Sequence, residues 1–154
     1  MILALDVASA TGWATAPYHA HPALGNHGLW KLVGLHGDKM IHLYHLVSEA
    51  IISEGVTDIV LEAAMIHSKN MRGASRQIQM SAPVHMVGAM KNIPITEVNP
   101  ATLKKWTTGN GRATKEDMVE AVRGWGIDVT DHNTADAVAI LRYYQHQKGG
   151  SSDE

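Results

Sequence analysis

The chain has 154 residues, 45% of them hydrophobic and 18% charged, and a net charge of −2. This composition is typical of one folded globular domain rather than a disordered chain. Cysteine is absent, which excludes disulfide scaffolds, cysteine-ligated zinc and thiol catalysis. No apolar run approaches the roughly 18 residues of a membrane-spanning helix, and the N-terminus lacks a basic signal segment, so we expect a soluble cytoplasmic protein that does not engage a membrane.

The first part of the chain predicts strands followed by one helix. Ile2–Asp6 is a short apolar run that ends in an acid, as a buried strand would. An apolar pattern at helical spacing follows Asp38, and Gly55 is placed to end that helix. We therefore expect strands at 2–6, 13–16 and 28–33, a turn at 8–12, and a helix at 38–54.

The second part alternates strands and helices. A second apolar strand ends in an acid at Glu62, and Thr114 is placed to cap a helix. Pro83 is expected to kink or divide the helix that contains it. The expected elements are strands at 57–62 and 93–98, helices at 75–91, 100–106, 115–124 and 133–147, and a Gly/Asn loop at 107–112. This pattern predicts one α/β domain with a mixed sheet over residues 1–148 and a flexible tail at 149–154.

Charge is distributed unevenly along the chain. Residues 1–62 carry two lysines against six acids, a net charge of −4, and residues 116–154 carry a net charge of −5. Residues 63–115 carry eight bases against Glu97 alone, a net charge of +7. Such a segment would attract a polyanion, with strong dependence on salt, although a solvated surface with segregated charge is the alternative.

Three acids have a context that suits chemistry. Asp6 and Glu62 end apolar strands, where ligand sites gather in open α/β sheets, and Asp136 lies near the start of the last helix among small apolar residues. Converging carboxylates repel one another, and a divalent cation resolves that repulsion. Oxygen ligands without cysteine favour Mg²⁺ or Mn²⁺. The alternative is that the acids cap loops and serve the dipole of the helix.

Four ordered blocks of the chain resemble a known family. They are LALDVASATGWA, IVLE, NPATLKKWTTGNGRATK and HNTADAVAIL, and they cover most of the chain. They look like the RuvC-type Holliday-junction resolvases, particularly the small phage-like members. The resemblance implies an RNase H-like fold, with a five-stranded mixed sheet flanked by helices. It also implies a bacterial host cytoplasm as the place of action and an endonuclease that cuts branched DNA, especially four-way junctions.

The resemblance assigns roles to individual residues. Asp6, Glu62 and Asp136 fall on the family's metal-binding carboxylates, and Lys104 and Lys115 match its two catalytic lysines. Two Mg²⁺ ions, replaceable by Mn²⁺, would act on the scissile phosphate, with Asp6 as the bridging ligand. The family often carries a further acid where this chain has Asn133. Asn133 could act as a weaker ligand, and Asp131 and His132 are nearby substitutes, so three candidates remain for this position.

The basic third of the chain supplies candidate DNA contacts. They are Lys69, Arg72, Arg76, Lys105 and Arg112, the last in a loop that could equally be an ordinary helix connection. Met65 follows Glu62 by three residues, where family members can carry an apolar wedge that opens the junction, but a core methionine is the alternative.

The helix after this segment has a stripe of apolar residues, at Met80, Val84, Val87 and Met90. In the family the equivalent helix helps to build a homodimer, while the alternative is a stripe that packs on the sheet. Two further functions stay open at this point: a broad-specificity debranching nuclease and a non-catalytic DNA-binding module.

Overall fold

A computed structural model describes residues 1–66, 69 and 71–149. The strands within this range are β1 (Ile2–Asp6), β2 (Ala10–Ala16), β3 (Asn26–Lys31), β4 (Asp58–Glu62) and β5 (Ile95–Val98). The helices are α1 (His36–Glu54), α2 (Met71–Lys91), α3 (Pro100–Thr108), α4 (Lys115–Gly124) and α5 (His132–Gly149), with a short 3-10 helix at Pro22–Leu24. The expected tail, apart from Gly149, lies outside the described residues.

The five strands form one mixed sheet in the order β3-β2-β1-β4-β5. β2 pairs antiparallel with β1 and β3, whereas β4 pairs parallel with β1 and β5. β1 lies at the centre and is covered on both faces, which explains why its sequence is an unbroken apolar run. The predicted α/β class and mixed sheet are confirmed.

Helices cover both faces of the sheet and divide the core into two layers. Leu3, Leu5 and Ile59 face α1 and α2, where they pack with Leu43, Val47 and Val84. Ile2, Ala4 and Val60 face α3, α4 and α5. Because side chains alternate along a strand, Asp6 and Glu62 belong to the second set and point toward the layer that contains α5.

The segment of α5 from Ala137 to Leu141 is buried and apolar because the helix lies between the sheet and the other two helices of its layer. Its residues are small, and its N-terminal end closely approaches β2. A Cβ atom at Gly12 would lie 1.9 Å from the backbone oxygen of Asn133, so no larger residue fits at that position without displacing the helix. Gly12 pairs with Asp6 in the sheet, so this close approach lies directly beside an expected site residue.

Several expected boundaries are corrected by the structure. β2 begins at Ala10 rather than at 13, because the residues predicted as a turn pair with β1 and β3. α5 begins at His132 and continues through Gly149, so Asp136 lies in its second turn. Pro83 lies inside α2, which is not divided. None of the helices in the described ranges is long and apolar enough to cross a bilayer.

The apolar stripe of α2 serves mainly the core of the chain itself. Met80, Val84 and Val87 are buried and pack with α1 and the sheet. Met90 is the exception, with 67% of its surface exposed. The buried part of the stripe is therefore a packing face, and a contact between two copies through this helix would use exposed residues such as Met90.

Candidate active site

The sheet places two of the predicted acids side by side. β1 and β4 are parallel neighbours with Leu5 opposite Leu61, so Asp6 and Glu62 end their strands at the same edge. Both strands carry their last side chain toward α5, as their alternation requires. Asp6 is 9% exposed and Glu62 is partly buried.

The third acid comes from the helix that packs on this edge. α5 contacts β1, β2 and β4, and Asp136 is a partly buried residue in a run of buried small and aliphatic residues. The sequence from Ala135 to Leu141 is otherwise apolar because α5 is enclosed, so Asp136 interrupts the core. The structure therefore brings Asp6, Glu62 and Asp136 together from three distant parts of the chain.

The three carboxylates perturb one another. Burial, followed by the charges of Asp136 and Glu62, raises the pKa of Asp6 well above its ordinary value. Burial and the charge of Asp136 raise the pKa of Glu62 to about 7. Burial also raises the pKa of Asp136 to about 6, although two lysines oppose the shift. Negative charge is costly at this edge of the sheet, and a positive group that enters it would be stabilised.

Lys104 and Lys115 supply positive charge from the helices beside α5. Lys104 lies on α3 and lowers the pKa values of Glu62 and Asp136, and Lys115 begins α4 and lowers those of Asp6 and Asp136. Thr114 caps α4 because its hydroxyl oxygen accepts a hydrogen bond from the backbone N–H of Asp117, which defines the start of the helix at Lys115. The Nζ atom of Lys115 lies 3.3 Å from Nε2 of His132.

The residues that precede Asp136 have different tasks. Asp131 accepts two hydrogen bonds from Thr134, one from its backbone N–H at 2.8 Å and one from its hydroxyl at 2.7 Å, and so caps α5. His132 contacts Lys115. Asn133 donates from Nδ2 to the backbone oxygen of Ala10 at 2.8 Å, which orients its amide and leaves the amide oxygen as an acceptor. Asn133 therefore has an amide oxygen that is not engaged, whereas Asp131 caps α5 but lies close enough for its charge to raise the pKa values of Asp6 and Asp136.

The donor set suits a hard divalent cation. Among the described residues, no three Asp, Glu or His side chains have the spacing of a ready-made coordination sphere. The carboxylates of Asp6, Glu62 and Asp136 are instead buried or partly buried, repel one another, and accept no hydrogen bond from a described residue. Mg²⁺ or Mn²⁺ would satisfy these oxygen atoms and remove the repulsion.

The predicted DNA contacts lie on the surface. Lys69, Arg72, Arg76, Lys105 and Arg112 are all exposed in the structure. Met65 is 42% exposed, so the alternative of a core methionine is wrong. The connection between α3 and α4 is held by its own hydrogen bonds, including one from the backbone N–H of Arg112 to the side-chain oxygen of Asn110. That internal bonding orders the connection and leaves the Arg112 side chain accessible.

Sequence reasoning missed the basic residues on the α1 side of the sheet edge. Lys39 belongs to the acidic first third of the chain, yet its Nζ atom lies 3.4 Å from Oγ of Ser9, in the turn that follows β1. His36 begins α1 nearby and contacts Gln79 of α2. No local pattern in the sequence indicates this neighbourhood, because it is formed by segments far apart in the chain.

Comparisons with known proteins agree with the resemblance in the sequence. No family model matches the chain. The crossover junction endodeoxyribonuclease RuvC of Desulfitobacterium hafniense is 30% identical over 112 residues, which are 71% of this chain and 67% of that protein. RuvC of Salinibacter ruber is 25% identical over 108 residues, and the match spans 68% of this chain and 60% of that protein's length.

Structural comparison supports the fold independently. Thermus thermophilus RuvC, in a complex with Holliday junction substrate, superposes with a TM-score of 0.72. The superposition covers 97% of this chain and 96% of that chain, at 17% sequence identity. This likeness shows the RNase H-like fold that the sequence blocks imply.

Proposed function

The chain belongs to the RuvC family of crossover junction endodeoxyribonucleases, and on that premise we propose that it is a metal-dependent endonuclease that cuts four-way DNA junctions by phosphodiester hydrolysis. One observation carries this proposal: Asp6, Glu62 and Asp136 come from separate elements, and the charge of Asp136 raises the pKa values of both Asp6 and Glu62, while Lys104 and Lys115 act in the opposite direction. A non-catalytic DNA-binding module has no need to assemble such a costly group of buried acids.

The acids would hold the metal ions. We assign Asp6, Glu62 and Asp136 as ligands of two Mg²⁺ ions, replaceable by Mn²⁺, with Asn133 as a weaker further ligand. When bound, divalent ions activate water toward phosphorus and stabilise the leaving 3′-oxygen. Asp6 lies on the central strand and interacts with both other acids, which suits a shared ligand. Asp131 already accepts two hydrogen bonds as the cap of α5, which supports a structural role for it.

The two lysines would act on the phosphate. Both already interact with the carboxylates, so their ammonium groups lie where the negative charge of a bound phosphodiester would be held. Lys115 would neutralise charge that develops on the phosphoryl oxygens, and Lys104 would hold a phosphate or orient water. The contact between His132 and Lys115 supports a fixed position for the second lysine.

Exposed residues around the edge would bind the branched substrate. The five basic residues predicted from the sequence would contact phosphates and orient the DNA. Met65 follows Glu62 closely, is 42% exposed, and could insert between bases at the junction centre. The carboxylates define the point of cleavage, whereas this surrounding surface would determine which DNA shapes reach it.

A homodimer would place two such sites on opposed strands of the junction. Met86 and Met90 are one helical turn apart on α2, with exposed fractions of 57% and 67%. They support a contact between two copies through the outer side of α2 rather than through its buried stripe. Light scattering of the purified protein, alone and on DNA, tests this. A monomer that makes paired incisions would contradict it.

The main test is cleavage of a synthetic four-way junction with and without Mg²⁺. Asp6→Asn and Glu62→Gln should each abolish cleavage while junction binding is largely retained, because each removes a charged ligand without changing side-chain size. Glu49→Gln, an exposed residue of α1, is the matched control and should cleave normally. Turnover by either purified active-site variant would refute the assigned role, and equal cleavage of forks and flaps would favour a debranching nuclease.

A further inference from the structure

A cavity of about 580 Å³ lies at the edge of the sheet on the α1 and α2 side, opposite the layer that carries Lys104 and Lys115. Its walls are the turn after β1, the N-terminal end of α1 and the first turns of α2. Asp6 is among its lining residues, so the cavity adjoins the strand end that carries the first acid of the proposed active site. Nothing in the assigned metal chemistry uses this cavity.

Positive charge dominates the lining of the cavity. Lys39 and Arg76 line it with His36, and Asp6 is the acid among the lining residues. Asp38 is adjacent to Lys39 in the chain, but its carboxylate accepts a hydrogen bond from the backbone N–H of Leu35 at 2.9 Å. Within the described residues, neither Lys39 nor Arg76 forms an ion pair. Both cations therefore remain available to an anion from outside.

A hydrogen bond connects Lys39 to the turn that follows β1. Its Nζ atom lies 3.4 Å from Oγ of Ser9, in the turn that directly follows the strand of Asp6. The hydroxyl holds the ammonium at the rim without neutralising it, and Arg76 lines the cavity from α2. Two cations from different helices thus line one cavity beside the carboxylate edge, where a tetrahedral anion with several oxygen atoms could accept hydrogen bonds from both.

We propose that this cavity binds a backbone phosphate that flanks the scissile one, held by Lys39 and Arg76. The inference rests on the proposed nuclease function. The carboxylates then lie between two basic sides, with Lys104 and Lys115 on one side and Lys39 and Arg76 on the other. A strand that crosses the edge is held on both sides of the cleavage point, so its scissile phosphate is presented to the carboxylates in one position.

The chain offers a control that separates this inference from an argument based on regional charge. Lys39 belongs to the acidic first third, whereas Lys91 belongs to the basic middle third and is exposed at the end of α2. Fifteen residues of helix separate Arg76 from Lys91, about 22 Å at the usual helical rise. Charge by region predicts that Lys91 binds DNA and Lys39 does not, and the structure predicts the reverse.

The experiment measures binding of the full chain to a fluorescent synthetic four-way junction between 50 and 200 mM salt, with Ca²⁺ in place of Mg²⁺ to prevent cleavage. Each lost phosphate contact lowers the salt dependence by about 0.9 in slope. Raising the salt from 50 to 200 mM weakens binding by wild type and by each variant. For Lys39→Gln and for Arg76→Gln, the factor by which binding weakens should be about 3.5-fold smaller than the factor for wild type. Lys91→Gln should behave as wild type. A wild-type slope for Lys39→Gln, or an equal decrease for Lys91→Gln, would overturn the inference.

A second measurement locates the phosphate. Neutral methylphosphonates replace, one at a time, the phosphates on either side of the scissile one. At one flanking position the substitution should weaken wild type but cause no additional loss in Lys39→Gln, because both changes remove the same contact. If the losses of binding free energy from the methylphosphonate and from Lys39→Gln simply add at every position, the assigned contact is refuted. If wild type neither binds nor cuts the junction, the proposed function itself is refuted. If wild type and Lys39→Gln bind and cut the junction equally well, only the assigned phosphate contact is refuted.

Discussion

The burial of Glu62 should make the metal-free protein sensitive to pH, and the neutral variant Glu62→Gln tests this directly. Burial, followed by the charge of Asp136, raises the pKa of Glu62 from 4.5 to about 7, against the opposing effect of Lys104. A rise of this size means that the charged carboxylate costs the folded state up to about 3 kcal/mol. The side chain is partly exposed, so screening by water makes this value an upper bound.

The sign of the effect follows from which state holds the proton. Between pH 4.5 and about 7 the folded state retains a proton on Glu62 that the unfolded state has released. Wild type therefore loses stability as the pH rises through this window, whereas Glu62→Gln lacks this loss. We expect similar free energies of unfolding near pH 4.5. At pH 8 the variant should be more stable by up to about 3 kcal/mol, or about 6–12 °C in Tm.

Urea unfolding in EDTA at both pH values measures this difference. Glu49→Gln, exposed on α1, is the control and should show no pH-dependent gain. Added Mg²⁺ should stabilise wild type and not Glu62→Gln, because it binds the folded state through the carboxylate. If Glu62→Gln gains the same free energy of unfolding over wild type at both pH values, or is less stable than wild type at pH 8, the reasoning is refuted.

Other substitutions test the surroundings of the site. Gly12→Ala should lower the free energy of unfolding by about 1–3 kcal/mol and reduce cleavage, because the new Cβ meets the backbone at Asn133, and normal stability would contradict the close approach. Asp131→Asn should retain both the cap of α5 and Mg²⁺-dependent cleavage, so loss of cleavage in a stable variant would make Asp131 a ligand. Met65→Ala should slow cleavage of an intact junction but not of one with unpaired bases at its centre, without a change in Tm. If cleavage of both substrates is slowed equally, insertion of Met65 between bases at the junction centre is excluded.

The parts of the fold that the sequence predicts correctly are those where one local signal dominates. The apolar run at Ile2–Asp6 is a central strand because both its faces are buried. The helix capped by Thr114 has the predicted bounds, since the capping hydrogen bonds are local. β2 begins earlier than the sequence predicts, because residues 10–12 have a turn-like composition but pair with neighbouring strands in the sheet.

Contacts between distant segments account for what the sequence did not predict. The three acids could be proposed because strand ends share an edge and because the blocks resemble a family. Lys39 could not be proposed, since its neighbour Ser9 is thirty residues away and its own segment is acidic. The stripe on α2 was ambiguous, because helical spacing shows that one side is apolar without showing what covers it.

The alternation along β4 restricts how the length of this strand can change during evolution or engineering. Val60 and Glu62 point to one side of the sheet, and Ile59 and Leu61 point to the other. Insertion or deletion of one residue just before Glu62 would point its carboxylate into the hydrophobic core between the sheet and α1. Asp6 and Asp136 would then lose the Glu62 carboxylate from the site. A change of two residues preserves the side, so viable length variants should differ in even steps.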